Sequence, residues 1–97
     1  MSTHPLTDTD IQKALTELPG WRFEGNRLKK TYRFGSFREA ISFLVRLSFE
    51  AEEHNHHPEL CNVYHTVDVA ITTHDAGNKV TNKDVDLARA IEALSWV

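Results

Sequence analysis

Cysteine is nearly absent: Cys61 is the only one in 97 residues, so no disulfide can form within the chain. Glycine and proline are sparse too, at four and three residues, which excludes a low-complexity linker or a collagen-like repeat. No apolar run approaches the roughly 20 residues that a membrane span requires, so no membrane partner is expected. Residues 1–5 lack the basic start and apolar stretch of a secretory leader. With a single thiol, a reducing cytoplasmic setting is the expectation. Acidic residues outnumber basic ones, 14 to 11. The resulting net charge of −3 argues against direct nucleic-acid binding, which needs a basic face. What these absences leave is one small domain, 1–97, with a single modest core.

Histidine is the residue in surplus. Of six in the chain, five (His54, His56, His57, His65 and His74) fall between positions 54 and 74. Histidine titrates nearest neutrality, so such a cluster points to proton chemistry or to metal binding.

The apolar spacing sets the order of elements. Thr7 and Asp10 have capping-box spacing, with Asp in place of Glu, ahead of Ile11, Ala14, Leu15 and Leu18 at helical intervals. Pro19-Gly20 ends that helix. Trp21 and Phe23 begin a hairpin whose turn, Gly25-Asn26, puts Glu24 opposite Arg27 and Phe23 opposite Leu28. Leu28, Tyr32 and Phe34 continue one face, and Lys30 interrupts it. Ser36 and Glu39 form a second capping box, and Phe37, Ala40, Ile41, Leu44, Leu47 and Ala51 form the expected apolar stripe of a long helix. Glu52 comes eleven positions after Ile41 and returns to within about 20° of that face, whereas Glu50 is expected in solvent. Pro58 disfavours helical geometry at His57, so the His56-His57 pair is expected on a bend. Residues 61–64 and 67–74 read as strands, either joined by a turn at His65-Thr66 or continuous. Val67, Val69 and Ile71 face the core, Cys61 is expected as a small core residue, and Trp21 and Tyr64 as packing aromatics. After the loop Asp75-Ala76-Gly77-Asn78, Thr81 caps a last helix with Asp84 as acidic partner. Leu87, Ala88, Ile91 and Leu94 form its stripe, and Asp84 lies on the inward side. The order α-β-β-α-β-β-α implies an α+β fold: a four-stranded antiparallel sheet with three helices on one face. The other face, or a sheet edge, is left for a second copy of the chain.

Four groups stand out at the ends of these elements: Glu52, the His56-His57 pair, His74 and Asp84. Two histidines from separate segments can donate and accept protons near pH 7, and carboxylates can fix their tautomers. Each also has a plain structural reading. Glu52 could extend into water, Asp84 could be only a helix cap, His74 could be solvated, and the histidine pair could mark a bend. A metal site fits less well. The spacings match neither H-E-x-x-H nor a cysteine-based zinc pattern, and on extended chain His56 and His57 point to opposite sides. No glycine-rich run leads into a helix, so no phosphate loop is expected.

The string Glu52-Glu53-His54-Asn55-His56-His57-Pro58, then Tyr64, Thr72-Thr73-His74 and Asp84, resembles the signature of the pterin-4a-carbinolamine dehydratases. Gly20-Trp21 and the Phe-rich start of the central helix extend the resemblance over nearly the whole chain. It implies the fold above, with homodimers joined through their sheets and sometimes paired into homotetramers. It implies a lyase of the hydro-lyase kind that removes water from a 4a-hydroxytetrahydropterin, a product of aromatic amino acid hydroxylases, to give quinonoid dihydropterin. No metal and no cofactor are implied. Carried onto this chain, His56 and His74 would be the acid/base pair. His57 would line the pocket, and Glu52 and Asp84 would orient these groups. His56, His57, Pro58, Thr73, His74, Asp75 and Ala76 would hold the pterin. Some members also serve as dimerisation cofactors of a transcription factor, which gives an alternative reading as a binding module. Two departures are visible: the loop from His74 to Asp84 is one residue longer near Asn78-Lys79, and Leu60 replaces an aromatic.

Overall fold

A computed structural model describes residues 4–94. The leader reading at residues 1–5 and the ends of the 1–97 domain fall partly outside them. Helix α1 (Asp8–Leu15) starts where the Thr7 side chain accepts from Asp10 N, 3.1 Å away. It stops before Leu18, which is buried in the turn beyond rather than on the helix. Strands β1 (Arg22–Glu24) and β2 (Arg27–Arg33) form the expected hairpin, with Glu24 opposite Arg27 and Phe23 opposite Leu28. Gly25 and Asn26 make its turn, both at positive φ (+59° and +60°), a conformation that Gly and Asn tolerate best. Helix α2 (Phe37–Glu53), strands β3 (Glu59–Val63) and β4 (Thr66–Ile71), a 3-10 turn (His74–Ala76) and helix α3 (Asn82–Glu92) complete the chain. The sheet runs β1-β2-β4-β3, antiparallel throughout. The turn joining β3 to β4 is Tyr64-His65, one residue earlier than the sequence suggested, and Tyr64 enters it at φ +53°.

One face of the sheet carries the core. Leu28, Tyr32, Val67, Val69 and Ile71 are buried on it, against Phe43 and Leu47 of α2 and Leu87 and Ile91 of α3, with Ile11 of α1 in the same cluster. Tyr32, Phe34 and Phe43 meet with ring centroids 4.8–6.4 Å apart. Lys30 does share the face of Leu28 and Tyr32. It is tolerated because its ammonium reaches Glu92 Oε2 and the Pro19 carbonyl, each at 2.7 Å. Trp21 Nε1 and the Tyr32 hydroxyl donate to the same carboxylate oxygen. Burial pushes the Tyr32 hydroxyl far above its ordinary range. Burial works against the Glu92 carboxylate, but the Lys30, Tyr32 and Trp21 donors outweigh it and hold Glu92 below its ordinary value.

Several expected placements are corrected. The buried face of α2 is Ala40, Phe43, Leu47 and Ala51, while Phe37 and Ile41 are exposed. Glu52 lies about 140° round the helix from Leu47, so it shares Ile41's side and faces solvent. Glu50 is half-buried instead. In the second capping box Ser36 Oγ accepts from Glu39 N, but Glu39 Oε1 takes the Gly35 amide at 2.9 Å rather than that of Ser36. Cys61 sits on the edge strand β3 with its side chain on the uncovered face, and is exposed. Tyr64, held out on its turn, is exposed rather than packed.

Candidate functional site

The site begins at the end of α2. Asn55 has φ +49°, His56 N donates to Ala51 O at 3.0 Å, and Asn55 N donates to Glu52 O at 3.1 Å. This pair of bonds around a left-handed residue is the Schellman arrangement, and Asn is the best non-glycine residue for it. It stops the helix and turns the chain so that His56 comes back towards the core while His57 stays outside. Pro58 then leads into β3.

His56 is nearly enclosed, with 10% of its side chain exposed, and its Nε2 lies 2.6 Å from Oδ1 of Asp84, which is wholly buried. Asp84 is the third residue of α3. It closes a reciprocal capping box in which Thr81 N donates to its Oδ2 at 2.8 Å. Thr73 Oγ1, just beyond β4, donates to the same oxygen at 2.8 Å. A hydroxyl has one proton, so the 2.8 Å contact between Thr73 and Thr81 is donated by Thr81, whose own oxygen accepts from Lys83 N. His56 Nε2, Thr73 Oγ1 and Thr81 N converge on one carboxylate. A buried carboxylate is stable only when so satisfied. With Oδ2 taken by Thr81 N and Thr73 Oγ1, Oδ1 accepts from His56 Nε2–H, and the ring keeps Nδ1 for another partner. Helix cap and histidine anchor are the same residue.

The other two imidazoles are exposed. His57 Nε2 lies 2.6 Å from Glu52 Oε2, with 63% and 75% of the two side chains exposed. Glu52 thus meets the histidine expected of it, on the surface instead of in the core. His74 opens the 3-10 turn, and its Nδ1 lies 2.7 Å from Asn78 Oδ1.

His56, His57 and His74 line one hollow of about 380 Å³, together with Asn55, Thr73, Asp75 and Lys83. This is within the size range of small-ligand sites. Pro58 and Ala76 do not line it, and Thr73 offers its hydroxyl to Asp84 rather than to the hollow. Sequence reasoning missed Asn55, Asn78 and Lys83. Asn55 had a legible signal, as an Asn directly after a helix. Among the described residues, no three His, Cys, Asp or Glu side chains gather as a metal site. A larger concavity, about 500 Å³, lies on the uncovered face of the sheet, lined by Arg22, Lys29, Glu59, Leu60 and Asp68 among others. It holds none of the histidines. Leu60 therefore borders this concavity and not the histidine hollow.

These features define a class: a small α+β domain in which imidazoles from two chain segments, one of them locked to a buried carboxylate, share a single hollow. The sequence model described as pterin 4 alpha carbinolamine dehydratase matches residues 4–94. A relative from Opitutus terrae, named "Putative pterin-4-alpha-carbinolamine dehydratase", is 64% identical over 92 residues, covering 95% of both chains. One of the same name from Sulfurisphaera tokodaii is 43% identical over 92% of this chain and 95% of its own. A crystal structure titled as a transcriptional coactivator/pterin dehydratase from Brucella melitensis superposes with TM-score 0.89 at 33% identity, covering 94% of this chain and 98% of that one. A pterin dehydratase-like RuBisCO assembly factor of the alpha-carboxysome superposes with TM-score 0.68 at 25% identity, over 79% and 90% of the two chains. The chain belongs to the pterin-4-alpha-carbinolamine dehydratase family, a family of hydro-lyases.

Proposed function

We propose that this chain dehydrates a 4a-hydroxytetrahydropterin to quinonoid dihydropterin, using His56 and His74 as its acid/base pair. The observation that carries the reading is that these two imidazoles, brought in by the end of α2 and by the turn after β4, line the same hollow. In the reaction the C4a–O bond breaks as the hydroxyl is protonated and leaves as water. The electron pair of the N5–H bond becomes the new C4a=N5 bond as that proton is removed. One group must give a proton and another must take one, which two histidines near neutrality can do. Asp84 fixes His56 in the ring orientation that leaves Nδ1 for the substrate. His57, steadied by Glu52, forms the outer wall, and Asp75 and Lys83 offer polar contacts at the rim. The enzyme would work in the cytoplasm, recycling the pterin of an aromatic amino acid hydroxylase. The test is the dehydration rate of a synthetic 4a-hydroxypterin, with and without a chelator. His56→Ala and His74→Ala should each slow it by about 100- to 10,000-fold, with the chelator without effect. A wild-type rate equal to that of buffer would overturn the assignment.

A second reading, a protein-binding module, is favoured by one observation. Phe37, Ile41, Val45 and Phe49 are spaced four apart along α2 and are 57%, 36%, 53% and 68% exposed. An apolar stripe of this kind suits another helix, and the simplest occupant is a second copy of the chain in a homodimer or homotetramer.

A further inference from the structure

The loop after His74 supplies a residue with a use. Gly77 and Asn78 are both left-handed, at φ +73° and +60°, and the loop folds tightly on itself. Thr73 O accepts from Ala76 N at 3.2 Å and from Asn78 N at 3.1 Å, while Thr73 N donates to Lys79 O at 3.0 Å. Thr73 and Lys79 pair as an isolated antiparallel bridge, closing the loop at its base. The Asn78 backbone is therefore fixed relative to Thr73, which is itself anchored to buried Asp84. From this fixed point Asn78 Oδ1 reaches His74 Nδ1 at 2.7 Å. An amide oxygen can only accept, so the ring donates Nδ1–H and its lone pair lies on Nε2.

We propose that Asn78 is a positioning residue, holding neutral His74 in the Nδ1–H tautomer so that Nε2 takes the proton from the substrate. This rests on the reading of His74 as one of the acid/base pair. It also separates the two histidines. His56 is bound to a buried carboxylate, whereas His74 is bound to a neutral amide oxygen that fixes one tautomer without adding charge. An exposed ring with no such partner would divide its population between tautomers and orientations, whereas the bond to Asn78 keeps the proton on Nδ1 and the lone pair on Nε2.

The test uses two variants of the whole chain, chosen for the left-handed backbone at this position. Asn78→Gly keeps that conformation and removes the acceptor; Asn78→Asp keeps an acceptor. Nitrogen-15 imidazole spectra at alkaline pH should show His74 protonated at Nδ1 in the wild type and in Asn78→Asp, and averaged between nitrogens in Asn78→Gly. The Gly variant should lose about tenfold in kcat with little change in KM. A wild-type spectrum with the proton on Nε2, or an Asn78→Gly enzyme with undiminished kcat, would overturn the proposal. If His74→Ala also keeps full turnover, His74 has no part in the reaction and the acid/base reading falls with it. If His74→Ala is slow and Asn78→Gly is not, only the role of Asn78 falls.

Discussion

Asp84 Oδ1 lies 2.6 Å from His56 Nε2, although 28 residues separate them in the chain. The other carboxylate oxygen is occupied by Thr73 and Thr81, so the two oxygens are not interchangeable. Asp84→Asn tests this asymmetry. Its amide oxygen must stay at the Oδ2 position, because Thr73 and Thr81 both donate there. Its NH2 must then face His56 and donate to Nε2, forcing the ring into the opposite tautomer. The expected outcome is a folded protein whose dehydration rate falls by about 100- to 10,000-fold, with the His56 proton moved to Nδ1 in nitrogen-15 spectra. A rate within twofold of wild type would show that Asp84 is a helix cap alone.

Thr81 joins the same carboxylate to the start of α3, so its loss should appear first in stability. Thr81→Ala removes the side chain that caps Lys83 N and donates to Thr73. The expected cost is about 1–2 kcal/mol, typical of a lost N-cap. In a domain of this size that lowers the melting temperature by roughly 4–8 °C for each kcal/mol. Calorimetry checks it, and an unchanged melting temperature would remove the cap from the account.

Glu92, at the far end of α3, contributes a pH dependence to the fold. Its carboxylate is held below the ordinary value of 4.5, with burial opposed by the Lys30, Tyr32 and Trp21 donors. A folded-state value below the unfolded one means that the unfolded chain binds the proton more readily. The stabilisation is therefore complete above the unfolded value and is lost as pH falls through the folded one. Glu92→Gln should be less stable than wild type at neutral pH, and the gap should narrow as the pH drops below about 4.5. Urea unfolding at a series of pH values measures both curves. Parallel curves would mean that Glu92 does not supply the effect.

The pairing of Glu52 with His57 is the exposed counterpart of Asp84 with His56, and it should behave differently. An exposed pair contributes about 0–1 kcal/mol, so Glu52→Gln should leave the melting temperature nearly unchanged. Its effect on rate should be smaller than that of His56→Ala, because His57 forms a wall rather than meeting a buried anchor. A loss as large as that of His56→Ala would promote Glu52 from positioning His57 to a direct part in proton transfer.

Period and capping signals make the fold legible in the sequence. The hairpin register at Gly25-Asn26, the inward Val67, Val69 and Ile71, and the Thr81–Asp84 box all follow from local chemistry. The face of α2 was harder to read, because that helix carries apolar residues most of the way round. Phe37 and Ile41 competed with Phe43 for the core, and only the tertiary packing chose Phe43. Glu52 was misplaced with them. Chain position brought out His56, His57, His74, Glu52 and Asp84 as candidates, and the structure sets the three histidines on one hollow with Asp84 and Glu52 bonded to two of them, but the roles of Thr73 and Asn78 in bracing them were not legible. Thr73 acts through a hydroxyl in a three-dimensional relay, and Asn78 through a loop closed by a single bridge. Neither leaves a periodic trace in sequence.

The exposed side of α2 bears on assembly. Val45 and Phe49 lie one turn apart on α2, 53% and 68% exposed, with Ile41 a further turn back. A lone apolar side chain on a surface is ordinary, but a stripe of four on one helix is a surface built for contact. If it seats a second copy, Val45→Asp combined with Phe49→Asp places charge in a desolvated interface and should convert the oligomer to smaller species. Sedimentation analysis reads this directly. The melting temperature of the wild type should also rise with protein concentration, and that of the double variant should not, because association stabilises only the folded chain. The histidine hollow shares none of these side chains, so the variant should keep its turnover if each copy carries a complete site. A wild-type chain that sediments as a monomer at all concentrations would leave the stripe to a different partner.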